Sequence, residues 1–294
     1  MFFFVSQCHV TWHVATTITH VLKPFFAQVI KMSALTGNTG LTVGYWSIRG
    51  LAAPLRMMIM YSGTPFKNQM HDAKPNPEGG WDTADWFQQK PALKLRNPLI
   101  NLPYILDGDV IVSQTNACFL YVGRKLKMLG SDDLEVSACE QLLCEIYDLR
   151  NKVVGYAYSP KSTDPVACQE YLSSCNAILE KLALWLDMNK AKGNSGPFFV
   201  GNSATAPDFH AWEMFDQLAL NAAHHSCTNP VEAYPGLLAF HRDFAALPAN
   251  SRYLASTMAK LPCNNLMAGI CSVPGGGKYS PGVPLDWQNA SGMY

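Results

Sequence analysis

Tyr45 and Trp46 close a short apolar run, Leu41-Thr42-Val43-Gly44, with strand character. Groups that do chemistry in open sheets gather at the carboxyl ends of strands. A tyrosine hydroxyl is a hydrogen-bond donor; held against a thiol it favours the thiolate and so supplies a sulfur nucleophile. Trp86 and Lys90 bracket a short helical turn, Trp86-Phe87-Gln88-Gln89-Lys90. Gln114 and Thr115 stand in Ser113-Gln114-Thr115-Asn116, polar residues just ahead of an apolar run. Taken singly, each of these reads as an ordinary interfacial residue, and the residues alone name no ligand.

Other chemistries need motifs that the chain lacks. It has no Walker loop, no Gly-x-Gly-x-x-Gly beside a strand, no His-Glu-x-x-His and no Gly-x-Ser-x-Gly elbow. His224-His225 is a doublet without helical metal spacing and reads as exposed or capping histidines. The 9 cysteines are scattered, with no CxxC pair, so no metal centre is expected and free thiols in a reducing compartment are. Lys and Arg together number 22, as do Asp and Glu, leaving no basic excess to compensate nucleic-acid phosphate. Hydrophobic residues make up 48% of the chain, enough to drive collapse into a core.

The elements that must hold Tyr45 follow from periodicity. After Gly50, Leu51, Leu55, Met58 and Ile59 recur at helical spacing up to Ser62-Gly63, with Pro54 tolerated in the first turn. Phe66 to Met70 supplies a second strand, and a polar loop spans Asp72 to Asp85. The apolar runs flanking Asp107-Gly108 signal a hairpin over 102–112. Ser113 to Asn116 then opens a helix through Val122. This order predicts a small mixed sheet with helices on its faces.

The second half reads as all-helical. One stripe is Leu134, Ala138, Leu142, Ile146 and Leu149; another is Tyr171, Cys175, Ile178, Leu182, Trp185 and Leu186. A third is Phe209, Trp212, Phe215 and Leu218, and Leu238, Phe244 and Leu247 suggest a further short helix. Thr205-Ala206-Pro207-Asp208 reads as a capping box with Asp208 reaching back to the cap N–H. The expected divisions are an extension at 1–40, an α/β domain at 41–125, a helical domain at 131–262 and a loosely docked Gly/Pro-rich tail at 263–294. The extension matches neither a secretory signal nor a membrane span cleanly; a targeting role for it stays open.

In combination these residues are specific. Gly44-Tyr45-Trp46-Ser47-Ile48-Arg49-Gly50-Leu51-Ala52 resembles the start of cytosolic glutathione transferases of the mu class. Asn101-Leu102-Pro103-Tyr104-Ile105-Leu106-Asp107-Gly108 resembles the same family's hairpin, followed at the right distance by Ser113 to Ala117. Phe198 to Asn202 and Thr205-x-x-Asp208-Phe209 resemble its C-terminal domain. The likeness covers about residues 41–262.

The resemblance implies an α/β thioredoxin-like domain followed by an all-α domain, usually as a homodimer. It implies that Tyr45 activates the glutathione thiol and that Tyr158 assists some electrophiles. Trp46 would line the glutathione site. Trp86 and Lys90 would hold the glycine end. Asn101, Leu102 and a cis Pro103 would meet the peptide middle, and Gln114 and Thr115 the γ-glutamyl end. Asp148 would reach the neighbouring subunit's glutathione. The two partners would be glutathione, as cosubstrate, and a small hydrophobic electrophile held in a pocket from residues near Tyr158 and 198–212. No cofactor, nucleic acid or stable membrane association is implied, and the location is cytoplasmic. The alternatives are a non-catalytic ligand-binding or structural member, or a glutathione-dependent isomerase or peroxidase. Two departures bear on the glycine end: the 90–101 segment is two residues longer than usual, and Asp82-Thr83-Ala84-Asp85 stands where an arginine is common.

Overall fold

The structure is a computed structural model and describes residues 40–270 and 292–294. The expectations for the N-terminal extension lie outside the described residues. Strand β1 (Leu41–Trp46) is central. The sheet order is β6-β5-β1-β2-β7. β2 (Phe66–His71) runs parallel to β1, Leu41 opposite Phe66 and Trp46 opposite His71. A parallel pair needs a crossover, and α1 (Ala53–Tyr61) provides it, with Pro54 in its first turn. On the other side of β1 lies the antiparallel hairpin of β5 (Tyr104–Asp107) and β6 (Val110–Ser113), closed at Gly108 with φ 57°. Helix α3 (Thr115–Leu126) follows directly.

Two details of this half differ from the sequence reading. The polar loop at 72–85 contains a two-residue hairpin, β3 (Lys74–Pro75) against β4 (Trp81–Asp82), made feasible by Gly79 and Gly80 at φ 103° and 78°. The short turn at 86–90 is the middle of α2 (Ala84–Lys94), which carries Pro91 inside it.

The helical half is built on α4 (Asp133–Ala157), α5 (Pro165–Ser174), α6 (Asn176–Ala191), α7 (Ala206–His225) and α8 (Pro235–Ala245). The stripe from Tyr171 to Leu186 is split at Cys175 between α5 and α6. Leu134 is 81% exposed and Leu238 is 42% exposed, so both fall outside the core their spacing placed them in. The buried faces are instead Cys139, Leu142, Leu143, Ile146 and Leu149 on α4, and Leu237, Phe240 and Phe244 on α8.

Helix α7 is the hub. Phe209, Trp212, Phe215 and Leu218 are buried as expected, but so are Asp208, His210, Glu213, Gln217 and Asn221. Burying charge demands partners. Asp208 accepts from the Thr205 N–H at 2.7 Å and the Thr205 hydroxyl at 2.8 Å, the capping box, and from the Phe199 N–H at 2.7 Å. Glu213 is held by Arg49 from the loop after β1, at 3.0 and 2.8 Å, and Arg49 also reaches Asp216 at 2.6 Å. That cluster fastens the α/β half to the helical half.

The tail is not loose where it is described. Its first residues lie along the loop after β1: the Arg49 N–H donates to the Pro262 carbonyl at 2.8 Å and the Gly50 N–H to the Cys263 carbonyl at 3.1 Å. Cys263, Asn264 and Ile270 are buried. At the other end β7 (Gly292–Met293) adds a strand to the free edge of β2, and Phe66 and Tyr294 exchange backbone hydrogen bonds at 3.1 and 2.9 Å. Paired ladder groups repay chain ordering even in a Gly/Pro-rich segment.

Candidate active site

Tyr45 sits one residue before the end of β1, with its ring buried. Two glycines shape its surroundings. A Cβ on Gly44 would stand 2.0 Å from the Tyr104 ring, so only glycine lets β5 lie close beside β1 here. Gly50, at φ +41°, lets the chain turn back beside the Tyr45 ring. Burial raises the Tyr45 pKa. The Arg150 charge, a hydrogen bond with the Leu51 backbone and the Arg56 charge oppose this. The phenol therefore keeps its proton at neutral pH and acts as a donor rather than a base.

Tyr45 lines a cleft of about 310 Å³ between the two halves. Trp46, Ile48 and Gly50 line its near side. Arg150 and Val154 of α4 and Tyr158, the residue that caps its end, stand at four-residue spacing and form one wall, and Met214 and Gln217 of α7 another. Asn264, Asn265 and Met267 of the tail close it. Tyr158 is 40% exposed, and its hydroxyl accepts the Asn265 N–H at 3.0 Å. The 198–212 region does not line this cleft: its first residues pack on α6, where Trp185 Nε1 donates to the Phe199 carbonyl at 3.1 Å and Asn189 to the Phe198 carbonyl at 3.0 Å.

Of the other sequence-derived residues, Asn101, Leu102 and Pro103 lead into β5, Gln114 and Thr115 open α3, and Trp86 and Lys90 lie on α2. The Leu102–Pro103 bond is cis. Ser113 Oγ ties the 101–103 loop to the hairpin end, accepting from the Asn101 N–H at 2.9 Å and donating to the Asn101 carbonyl at 3.0 Å. Gln114 holds φ 74° and ψ 128°, a strained conformation for a non-glycine residue, and caps α3 ahead of the buried Thr115. The unpaired N–H groups of a helix start favour an anion there. Trp86 is buried, its ring stacked 5.8 Å from that of Tyr104 and tilted 5.1 Å from that of His71. Lys90 Nζ lies 5.6 Å from the Trp86 ring and 5.7 Å from the Phe87 ring. Burial keeps His71 below the usual histidine range despite Asp85, whose Oδ2 is 3.4 Å from Nδ1. The structure thus brings Tyr45, Trp46 and Tyr158 to one cleft, and joins Asn101, Leu102, Pro103, Gln114 and Thr115 in a neighbouring cluster. Asp148 is exposed on α4 and does not line the cleft. Ile48, Arg150, Val154, Met214, Gln217, Asn264, Asn265 and Met267 also line the cleft and were missed; of these, Arg150 and Val154 carried a signal, their four-residue spacing with Tyr158.

Residues 41–124 match the family described as glutathione S-transferase, N-terminal domain, and residues 147–257 match glutathione S-transferase, C-terminal domain. Glutathione S-transferase 2 of Gallus gallus is 34% identical over 73% of this chain and 90% of its own length. The chain belongs to the glutathione S-transferase family. Within it the chain is most like the mu class: glutathione S-transferase Mu 1 of Oryctolagus cuniculus is 32% identical over 74% of this chain and 91% of its own length. The transferase fold is shared with the solved pi-class glutathione S-transferase of Onchocerca volvulus, at TM-score 0.64 and 21% identity, covering 78% of this chain and 99% of that one. Among the described residues of this transferase no group of three or more His, Cys, Asp or Glu could hold a metal ion, and no helix is long and apolar enough to cross a membrane.

Proposed function

We propose that the chain joins the sulfur of glutathione to an electrophilic carbon, with Tyr45 donating a hydrogen bond to the thiolate. The observation that carries this reading is that the buried Tyr45 lines a cleft that Arg150 lines too. The thiol proton leaves to solvent. The thiolate attacks carbon, forming the C–S bond as the leaving group departs with its electron pair. Tyr45 keeps its own proton throughout and stabilises the anion.

The peptide is held by the cluster beside the cleft. Trp46 lines the path of the sulfur, and Asn101 with the Leu102 backbone next to Pro103 meets the middle of the peptide. Gln114, Thr115 and the start of α3 take the γ-glutamyl carboxylate. Lys90 and Trp86 take the glycine end. The electrophile lies between Tyr158 and the tail. Trp46, Ile48, Val154 and Met214 give that space apolar walls, while Arg150, Asn264 and Asn265 favour substrates with a polar group near the reacting carbon. Asp148 completes a second copy's site in a homodimer. Leu95 and Leu99, 62% and 70% exposed in the segment after α2, supply apolar surface for that contact. The seven described cysteines are all free thiols, in keeping with a cytoplasmic location.

Thiolate absorbance in the ultraviolet tests the reading. Glutathione added to the wild-type protein at neutral pH is expected to give a thiolate band, and Tyr45→Phe to lose most of it. A wild-type protein that binds glutathione without any thiolate band would contradict the assigned role of Tyr45.

A further inference from the structure

Two thiols meet where α5 packs on the chain leaving α7. Cys168, in the first turns of α5, is fully buried and points its thiol at the Asn221 carbonyl of α7, 3.8 Å away. Cys227 follows Ser226, whose left-handed backbone (φ 56°) ends α7. The Cys227 N–H donates to the Ala222 carbonyl at 2.8 Å, which turns the chain back over α5. Its thiol donates to the Pro165 carbonyl at 3.5 Å, one turn of α5 before Cys168. The next residue, Thr228, donates its N–H to the Gln169 side chain at 3.1 Å, so the loop is fixed to α5 at neighbouring points. Cys227, against the Pro165 carbonyl, and Cys168, one turn further along α5 and against the Asn221 carbonyl, thus lie on the same seam between α5 and the end of α7. Cys227 is partly exposed and Cys168 is not, so solvent meets the pair through one sulfur only.

We propose that Cys168 and Cys227 form a reversible disulfide when the protein meets a small oxidised thiol of the glutathione disulfide class. The Cys227 thiolate attacks one sulfur of the small disulfide, forming a mixed disulfide and expelling one thiolate. Cys168 then loses its proton and attacks the Cys227 sulfur, forming the protein disulfide and expelling the second thiolate. Two protein thiols are oxidised, one small disulfide is reduced to two thiols, and the protons given up by the protein end on those thiols. The second step is the slow one. Burial pushes the Cys168 thiol up to about 12, against a hydrogen bond from Tyr156 that favours its thiolate. The bond would tie α5 to the loop after α7 without rebuilding either, because both side chains already face the same seam.

Mapping of the oxidised full-length protein tests this. The reduced chain is incubated with excess glutathione disulfide, the remaining thiols are alkylated under denaturing conditions, and the peptides are mapped by mass. The expected product is a linked peptide joining Cys168 to Cys227, lighter by two hydrogens than its parts and released by a reductant. Exposed Cys144 serves as the reference for a thiol that stops at the mixed disulfide. Cys168→Ser should leave glutathione trapped on Cys227. Cys227→Ser should leave Cys168 fully alkylatable. The melting temperature should rise on oxidation in the wild type and not in Cys227→Ser, since the link restricts the unfolded chain. A wild-type protein in which Cys227 is saturated with glutathione while Cys168 stays alkylatable overturns the proposal, and so does one in which neither reacts. None of these readouts uses transferase activity, so they are independent of the role assigned to Tyr45.

Discussion

The Tyr45 ring lies against Gly50, where a Cβ would stand 2.6 Å from ring carbon Cε1 and 2.9 Å from the hydroxyl. The same glycine is at φ +41° and donates its N–H to the Cys263 carbonyl. Strand end, turn and tail are therefore set together around one phenol. Gly50→Ala is expected to displace the hydroxyl and lower kcat/KM by about tenfold or more, roughly 1.4 kcal/mol of transition-state stabilisation per factor of ten. Steady-state kinetics beside a thermal melt checks it: the loss in rate should exceed what partial unfolding explains.

Arg150 lines the cleft, and its charge opposes the burial that raises Tyr45. Removing that charge disfavours the thiolate. Arg150→Leu should move the alkaline rise of kcat/KM for conjugation upward by roughly one pH unit. The pH–rate profile decides; an unmoved profile would mean the guanidinium field does not reach the sulfur.

Asp208 satisfies three buried donors, from Phe199 and Thr205, at the start of α7. Thr205→Ala should lower stability by about 0.5–2 kcal/mol. Asp208→Ala should cost more, about 2–5 kcal/mol, because it leaves two buried backbone N–H groups unpaired. Urea denaturation measures both, with the order of the two variants as the critical result.

His210 is buried on α7 with its ring 4.9 Å from that of Phe119, and neither ring nitrogen has a hydrogen-bond partner among the described residues. Burial, aided by the Arg150 charge, lowers its pKa to about 3. Between pH 6.5 and 3 the unfolded chain binds a proton that the folded chain refuses. Stability is therefore fully present above pH 6.5 and falls as the pH drops toward 3, by about 4–5 kcal/mol in all. His210→Phe should flatten that limb of the stability–pH curve, measured by denaturation at a series of pH values.

The sequence carried most of the scaffold because the scaffold rests on local signals. A short apolar run marked β1, Asp107-Gly108 marked the hairpin, and the 205–208 capping box opened α7 where expected. Tyr45 was singled out by its place at the end of a strand and by the motif around it. Longer-range features were not legible. Leu134 fits a helical stripe but is 81% exposed, in the first turn of α4. The burial of Glu213 depends on Arg49, 164 residues away, and no spacing announces that pairing. Asn264 and Asn265 reach the cleft only because the tail bonds to the loop after β1, a contact made by backbone groups that every residue carries.

The central claim is that one hydroxyl, that of Tyr45, sustains the thiolate. Its most direct test is the rate of glutathione conjugation to a small aromatic halide, wild type against Tyr45→Phe. The expected result is a wild-type rate well above background that falls by about tenfold or more in the variant. A wild-type rate equal to background, or a variant as fast as the wild type, would contradict it.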